Sequence, residues 1–108
     1  MGKQKISTIE EFTEILKNND KFLLIKHSLT CPISSNAFNE YEKFTESTDL
    51  PTYFLYVQDD RPLSNYIAET FGVKHESPQA ILFENQAVKW HASHWKITEA
   101  SLKEAVEK

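Results

Sequence analysis

The spacing of apolar residues changes repeatedly along this chain, and that change constrains the fold more than any single motif does. Four segments repeat apolar residues every three or four positions, which is the period of an amphipathic helix. Between them lie short apolar runs rich in branched and aromatic residues, which are typical of strands. The spacing predicts helices over residues 9–16, 32–44, 63–71 and 99–106, and strands over residues 22–27, 52–57, 80–83 and 87–91.

Residue types that start or stop helices mark the boundaries of these segments. Residues 7–10, Ser-Thr-Ile-Glu, are interpreted as a capping box before the first helix, and residues 18–20 as its end. Residues 59–62 carry a turn signal. Gly72 is placed to take the left-handed conformation after the third helix, and Thr98 to cap the last one. The packed face of the third helix is predicted to consist of Leu63, Tyr66, Ile67, Thr70 and Phe71.

The order of these elements predicts an α/β fold. A short first strand around Lys5 and Ile6 precedes three helix–strand repeats, and a further strand and a helix close the chain. Strands joined by helices should run parallel, because a crossover helix returns the chain in the same direction, whereas residues 84–86 would join the last two strands as an antiparallel hairpin. This order resembles the thioredoxin architecture, a central mixed sheet flanked by helices. Residues 1–108 are expected to form one such domain.

Composition and charge argue against several kinds of function. The chain has a formal net charge of -4 and no basic stripe, so we expect no nucleic-acid partner. Its longest apolar runs are strand-sized and its start lacks the apolar block of a secretory signal, so we expect no membrane segment. Its single cysteine cannot form an internal disulfide, and a free thiol suits a reducing compartment. We therefore expect a cytoplasmic monomer.

The single cysteine, Cys31, lies between a predicted strand and a predicted helix. At a helix N-terminus, the macrodipole and unpaired N–H groups favour a thiolate, so the pKa of Cys31 should fall. Pro32 suits the first helical turn because its missing N–H costs nothing there and its φ is already helical. The sequence thus favours a nucleophilic thiol. The alternative is that Cys31 is a small buried apolar side chain.

Three segments together resemble the monothiol bacilliredoxins. They are Thr30-Cys31-Pro32-Ile33-Ser34, residues 71–83 (FGVKHESPQAILF) and residues 91–95 (HASHW). Ordinary thioredoxins carry a second cysteine where Ser34 stands, and monothiol glutaredoxins usually carry Gly-Phe-Ser after the cysteine. The resemblance covers the whole chain. It implies a cytosolic protein of bacteria that use bacillithiol, and an activity that removes bacillithiol from protein mixed disulfides.

Because the chain has one cysteine, a thiol of another molecule must complete this exchange. Cys31 would attack the bacillithiol sulfur of a bacillithiolated protein, and another thiol of low molecular weight would reset it. Bacillithiol is then a co-substrate, and no bound cofactor is expected. The hydroxyls of Thr30 and Ser34 could donate hydrogen bonds to the thiolate, or could simply cap the helix. Thr30, Pro32 and Ser34 are therefore candidate substrate-binding residues.

The resemblance implies a second group of candidate residues opposite Cys31. Thioredoxin folds place a cis proline there, so the Ser77-Pro78 bond is predicted to be cis, with the Ser77 backbone available to a passing disulfide. This segment appears one residue longer than in common thioredoxins, which leaves the position of His75 open. His94 is expected beside this loop, where it could stabilise an anionic ligand or a leaving thiolate. His27, at a strand end, is a lesser candidate.

Two other functions stay open at this stage, beside the question of a metal site. His91 and His94 could share a metal ion, but no further ligand lies at suitable spacing, so we expect no metal site. An iron–sulfur carrier would use Cys31 from two subunits and two bacillithiol thiols as cluster ligands, and would be coloured when purified without oxygen. A non-enzymatic thioredoxin-like binding module would have an unreactive Cys31.

Overall fold

The computed structural model describes residues 3–30 and 32–107, which form five strands and four α-helices with one short 3₁₀ helix. No helix in these two ranges is both long enough and apolar enough to cross a membrane. The elements, in chain order, are β1 (Lys3–Lys5), α1 (Ile9–Asn18), β2 (Lys21–His27), α2 (Pro32–Glu46), β3 (Thr52–Tyr56), α3 (Arg61–Phe71), β4 (Gln79–Glu84), β5 (Ala87–Ser93), the 3₁₀ helix (His94–Lys96) and α4 (Glu99–Glu107).

The five strands form one mixed sheet in the order β1-β3-β2-β4-β5. β3 pairs in parallel with both β1 and β2, while β4 pairs antiparallel with β2 and β5. The predicted α/β fold, with parallel early strands and a closing hairpin, is thus confirmed. Asn85 and Gln86 form the two-residue hairpin turn, and both have the positive φ that such a turn requires.

Apolar side chains cover both faces of the sheet and pack it against the helices. β2 lies at the centre of the sheet, and its residues 22–26 are fully buried, as its continuous apolar run predicts. One face packs against α1 and α3 and includes Phe12, Phe22, Leu24, Leu63, Ile67, Ile81 and Phe83. The other face packs against α2 and α4 and includes Leu23, Ile25, Ala37, Tyr41, Phe44, Leu82 and Leu102.

The helix boundaries agree with the sequence in part. The capping box of α1 exists, but it uses Thr8 and Glu11, so the prediction of residues 7–10 was wrong by one position. The Thr8 hydroxyl accepts from the Glu11 N–H at 3.1 Å, and the Glu11 carboxylate accepts from the Thr8 N–H at 3.1 Å. Hydrogen bonds from the backbone N–H groups of Ser7 and Thr8 lower the pKa of Glu11. Thr98 caps α4 as predicted, since its hydroxyl accepts from the Ser101 N–H.

The third helix differs from the sequence prediction at its start and in one residue of its packed face. The turn predicted over residues 59–62 ends early, because α3 already begins at Arg61 and takes Pro62 into its first turn. Thr70 is exposed and does not join the packed face of α3. Gly72 ends the helix with φ of 65°, which confirms the predicted left-handed cap.

Candidate active site

The polypeptide on either side of Cys31 has the predicted structure. β2 ends at His27, and α2 begins at Pro32 and continues for 15 residues. Cys31 itself lies outside the described residues, so its predicted exposure and low pKa stay predictions. Its neighbour Thr30 is exposed. The sequence therefore places the thiol directly before the first residue of a long helix.

Hydrogen bonds join the loop before Cys31 to the first turn of α2. Ser34 is fully buried, and its hydroxyl accepts from the Ser28 N–H at 3.2 Å. Gln58, from the segment after β3, bonds to Ser28, Leu29 and Thr30. Sequence reasoning did not find Gln58. Its one signal was its place just after a parallel strand, because the carboxyl ends of such strands meet at one edge of the sheet.

Two of the predicted site segments meet at the start of β4. The Ser77-Pro78 peptide bond is cis, as predicted. The Pro78 carbonyl accepts a hydrogen bond from the His94 N–H at 3.1 Å. The predicted proximity of His94 to residues 76–78, the proline loop directly before β4, is therefore confirmed. The His94 side chain is exposed, and the predicted wall facing Cys31 stays a prediction because Cys31 is outside the described residues.

Glu76 adds a carboxylate to the proline loop that sequence reasoning did not find. Its carboxylate accepts a hydrogen bond from the Ser93 hydroxyl. This bond lowers the pKa of Glu76, and the nearby positive charges of His94, Lys74 and His91 lower it further. Glu76 is therefore an anion at neutral pH, and it ties the proline loop to the end of β5.

His75 belongs to a buried polar cluster formed by Lys26, Ser64, His75 and Gln79. Lys26 is fully buried, and its Nζ donates to the Ser64 carbonyl at 3.0 Å and lies 3.4 Å from His75 Nδ1. Burial lowers the pKa of Lys26 to about 8. Burial also lowers the pKa of His75, and the charges of Lys26 and Arg61 add to this effect. An ammonium group only donates, so His75 Nδ1 accepts here and the ring is neutral.

The polar cluster lies next to the proline loop, on the inner side that packs against the sheet. Lys26 on β2 and Gln79 on β4 are paired residues of adjacent antiparallel strands, so their side chains share one face of the sheet. The Gln79 amide nitrogen donates to the Lys74 carbonyl at 3.0 Å, while the Gln79 amide oxygen is buried and has no hydrogen-bond partner among the described residues. The position of His75, which the sequence left open, is thus beside the proline loop and packed inward.

His27 is held by aromatic packing at the end of β2. Its ring lies 4.6 Å from the ring of Phe38 and 5.7 Å from that of Tyr56, measured between centroids. Burial lowers the pKa of His27, and the Ser34 backbone partly offsets this shift. His27 is therefore a neutral packing residue beneath the first turn of α2, and its predicted influence on Cys31 stays untested.

Metal coordination finds no support in the part of the chain that the structure describes. Within residues 3–30 and 32–107, no group of three or more histidine, cysteine, aspartate or glutamate side chains is arranged to hold a metal ion. The expectation of no metal site stays a prediction for the complete site, which includes Cys31.

Comparison with solved structures identifies the class of protein. A protein described as a candidate oxidoreductase with a thioredoxin fold is 42% identical, with a TM-score of 0.92, and the match covers 96% of this chain and 93% of that one. A mutant thioredoxin from Halobacterium salinarum is 19% identical, with a TM-score of 0.79 and coverage of 97% and 88%. A thioredoxin from Malassezia sympodialis is 16% identical, with a TM-score of 0.78 and coverage of 98% and 89%. The latter two show the fold alone, and together the three establish a thioredoxin fold.

The family follows from a sequence comparison. A family model described as monothiol bacilliredoxin BrxC matches residues 4–102, which include the Thr30–Ser34 motif, the proline loop and His94. The chain therefore belongs to the monothiol bacilliredoxin family, whose members are thiol oxidoreductases with a thioredoxin fold.

Proposed function

We propose that this protein removes bacillithiol from protein mixed disulfides through Cys31. The observation that carries the proposal is the place of the chain's one cysteine, directly before the first residue of α2, in a chain that matches the monothiol bacilliredoxin family. A helix N-terminus favours a thiolate, and a thiolate is the nucleophile of disulfide exchange.

The proposed reaction is one thiol–disulfide exchange followed by a reset. The Cys31 thiolate attacks the bacillithiol sulfur, a new disulfide forms between the two, and the bond between bacillithiol and the substrate protein breaks. The substrate cysteine leaves as a thiolate and takes a proton from solvent. The thiolate of a low-molecular-weight thiol then attacks the bacillithiol sulfur on Cys31, so that a disulfide forms between this thiol and bacillithiol, the bond to Cys31 breaks, and the Cys31 thiolate is released. Bacillithiol is a co-substrate here, and no bound cofactor takes part.

Polar groups around the loop support this chemistry. The Ser34 hydroxyl accepts a bond from the Ser28 N–H, so its own hydrogen stays free to donate. We propose that Ser34 and Thr30 donate to the Cys31 thiolate, and that the backbone of Ser77 before Pro78 binds the disulfide. His94, held beside Pro78 by its backbone, would favour an anionic thiol.

Exposed apolar side chains support protein substrates as partners. Among the described residues, the two large apolar side chains that stand out as exposed are Leu29, 52% exposed, and Trp95, 65% exposed. Leu29 lies two residues before Cys31, and Trp95 follows His94. Apolar side chains that remain in solvent beside a reactive loop suit contact with another protein. We propose that they contact the bacillithiolated protein.

The test is transfer of the adduct from a bacillithiolated protein to this chain. The reduced protein is mixed with the substrate, the reaction is stopped with acid, and both intact masses are measured. Bacillithiol should leave the substrate and appear on Cys31, and Cys31→Ser should show no transfer while keeping the thermal unfolding of the wild type. Transfer by Cys31→Ser at the wild-type rate would refute the mechanism.

The same preparation separates the two other functions that the sequence left open. A brown protein that contains iron after purification without oxygen would favour the iron–sulfur carrier. A Cys31 that does not react with an alkylating agent at pH 7 would favour the binding module. A colourless protein with a reactive Cys31 agrees with the proposed exchange.

A further inference from the structure

Gln58 stands at the sheet edge where the chain leaves β2 for Cys31. It lies two residues beyond the end of β3. The Val57 N–H donates to the His27 carbonyl at 2.8 Å, which continues the pairing of β2 and β3 past the last residue of β3. This bond holds Gln58 opposite residues 28–30, the three residues before Cys31.

The Gln58 side chain bonds to all three of these residues. Its oxygen accepts from the Leu29 N–H at 3.0 Å. Its nitrogen donates to the Ser28 hydroxyl oxygen at 2.9 Å and to the Thr30 hydroxyl oxygen at 3.2 Å. One side chain thus bonds to each of the three residues that precede Cys31, although it lies 28 to 30 positions away from them in the sequence.

Only an amide satisfies these three partners in this way. The Leu29 N–H can only donate, so it must face the amide oxygen. The amide NH₂ then faces the two hydroxyl oxygens and supplies one hydrogen to each. The orientation of the amide decides in turn how the hydroxyls are used. The Thr30 oxygen accepts from Gln58, so its one hydrogen remains available for another acceptor.

Two residues close to Cys31 in the sequence carry a hydroxyl hydrogen that remains available to an acceptor. Thr30 directly precedes Cys31, and Ser34 follows it by one helical turn. The Ser34 hydroxyl already accepts from the Ser28 N–H, and Gln58 holds the Ser28 hydroxyl. Gln58 therefore contacts Thr30 directly and is connected to Ser34 through Ser28. Hydrogen bonds to a charged acceptor are about twice as strong as those between neutral groups.

We propose that Gln58 is a positioning residue for the exchange at Cys31, holding residues 28–30 and turning the Thr30 hydroxyl hydrogen towards the thiolate. This inference deepens the proposed function and rests on the use of Cys31 as its nucleophile. Gln58 does not touch the reacting sulfur atoms in this proposal. It acts through Thr30.

The first test is the pH dependence of Cys31 alkylation by iodoacetamide in wild type and in Gln58→Met. Methionine keeps the length of the side chain and removes all three hydrogen bonds. The midpoint of the rate–pH curve should rise by about half to one pH unit, because the thiolate loses an oriented donor. Gln58 is exposed, so thermal unfolding should change little. An unchanged midpoint would overturn the proposal.

A second variant, Gln58→Glu, separates orientation from simple packing. A carboxylate can accept from the Leu29 N–H but has no hydrogen for Thr30, so the Thr30 hydroxyl would turn its hydrogen to the introduced carboxylate and away from Cys31. The added negative charge also disfavours the thiolate. The midpoint should therefore rise more than in Gln58→Met. The matched control is Gln86→Glu, which adds the same charge in the hairpin turn after the last residue of β4, away from the proline loop at the start of that strand. It should leave the alkylation midpoint of Cys31 unchanged.

A double-mutant cycle with Thr30→Val tests the route through Thr30. If Gln58 acts by orienting this hydroxyl, Gln58→Met should add nothing to the midpoint shift of Thr30→Val. Fully additive shifts would show that Gln58 acts elsewhere and would overturn the inference. Alkylation needs no bacillithiol, so this result stands apart from the adduct-transfer assay. If the wild type transfers no adduct but the Gln58 and Thr30 variants show the expected midpoint shifts, the proposed function is refuted. If the wild type transfers the adduct but the Gln58 variants show no midpoint shift, the role of Gln58 is refuted.

Discussion

Replacing the buried Lys26 by methionine should change the pH dependence of stability. Lys26 is fully buried on the α1 and α3 face of the sheet, and burial lowers its pKa from 10.5 to about 8. Within the described chain, it forms no ion pair with a carboxylate, and its Nζ has the Ser64 carbonyl and His75 Nδ1 as partners. A buried ammonium without a counter-charge is destabilising relative to the same group neutral.

The sign and size of the effect follow from the two pKa values. Below pH 8 the folded and unfolded states both bind the proton, and the buried charge opposes folding in full. Between pH 8 and 10.5 the unfolded state binds more protons, so this residue's contribution to stability rises with pH. The full difference is about 3 kcal/mol, and most of it falls between pH 7 and pH 10.

Lys26→Met removes this dependence but also removes two hydrogen-bond contacts. Each lost contact costs about 1 kcal/mol at every pH, so the absolute stability at pH 7 is a poor measure. The difference between wild type and variant is a better one, because groups common to both proteins cancel. Between pH 7 and pH 10, the free energy of unfolding of the wild type should rise by about 2 to 3 kcal/mol relative to that of Lys26→Met.

Urea unfolding at pH 7, 8, 9 and 10 measures this difference. Lys17→Met, which removes an exposed lysine from the last turn of α1, is the matched control for the loss of one positive charge. The test quantity is the difference in free energy of unfolding between wild type and Lys26→Met, corrected by the same difference for Lys17→Met. If it changes by less than about 1 kcal/mol between pH 7 and pH 10, Lys26 is solvated or paired, and the reasoning is refuted.

Three further predictions concern the thiol, His94 and Gly72. The alkylation midpoint of wild-type Cys31 should lie below about 8.5, and a midpoint at or above that value would remove the electrostatic argument for the helix N-terminus. His94→Ala should slow adduct transfer because His94 is expected to stabilise an anionic ligand or a leaving thiolate, whereas rates equal to the wild type from about pH 6 to pH 8 would leave His94 without a role. Gly72→Ala should lower the free energy of unfolding by about 1 kcal/mol because of the positive φ alone, since a Cβ there would meet nothing within 4 Å. Gly72→Asn should cost less, and equal losses in urea unfolding would contradict the backbone explanation.

Local patterns in the sequence were enough to predict most of the fold. The apolar spacing predicted four helices and the buried strands because amphipathic periods depend only on residues close together in the chain. Gly72 and Thr98 were recognised as caps for the same reason. The capping box was misplaced by one residue because Ser7 and Thr8 are both good caps, and the sequence alone does not choose between them.

The place of Cys31 in the chain was also evident from the sequence. An apolar strand, a cysteine, a proline and an amphipathic helix follow one another in a few residues, so strand end and helix start are both local features. The cis Ser77-Pro78 bond was predicted by resemblance to thioredoxin folds, since residue types permit a cis bond but do not require one.

Only the tertiary structure decided which distant residues surround the candidate site. Gln58 and Leu29 are 29 positions apart, and Lys26 and His75 are 49 positions apart, so no local pattern joins either pair. Gln58 meets the loop because β2 and β3 lie side by side and end at one edge of the sheet. Lys26 is buried because the side chains of a strand alternate between faces, and its face is covered by α3 near the proline loop. Hydrogen bonds and desolvation act over a few ångströms in space, and the arrangement of strands, helices and loops in the fold determines which residues come that close.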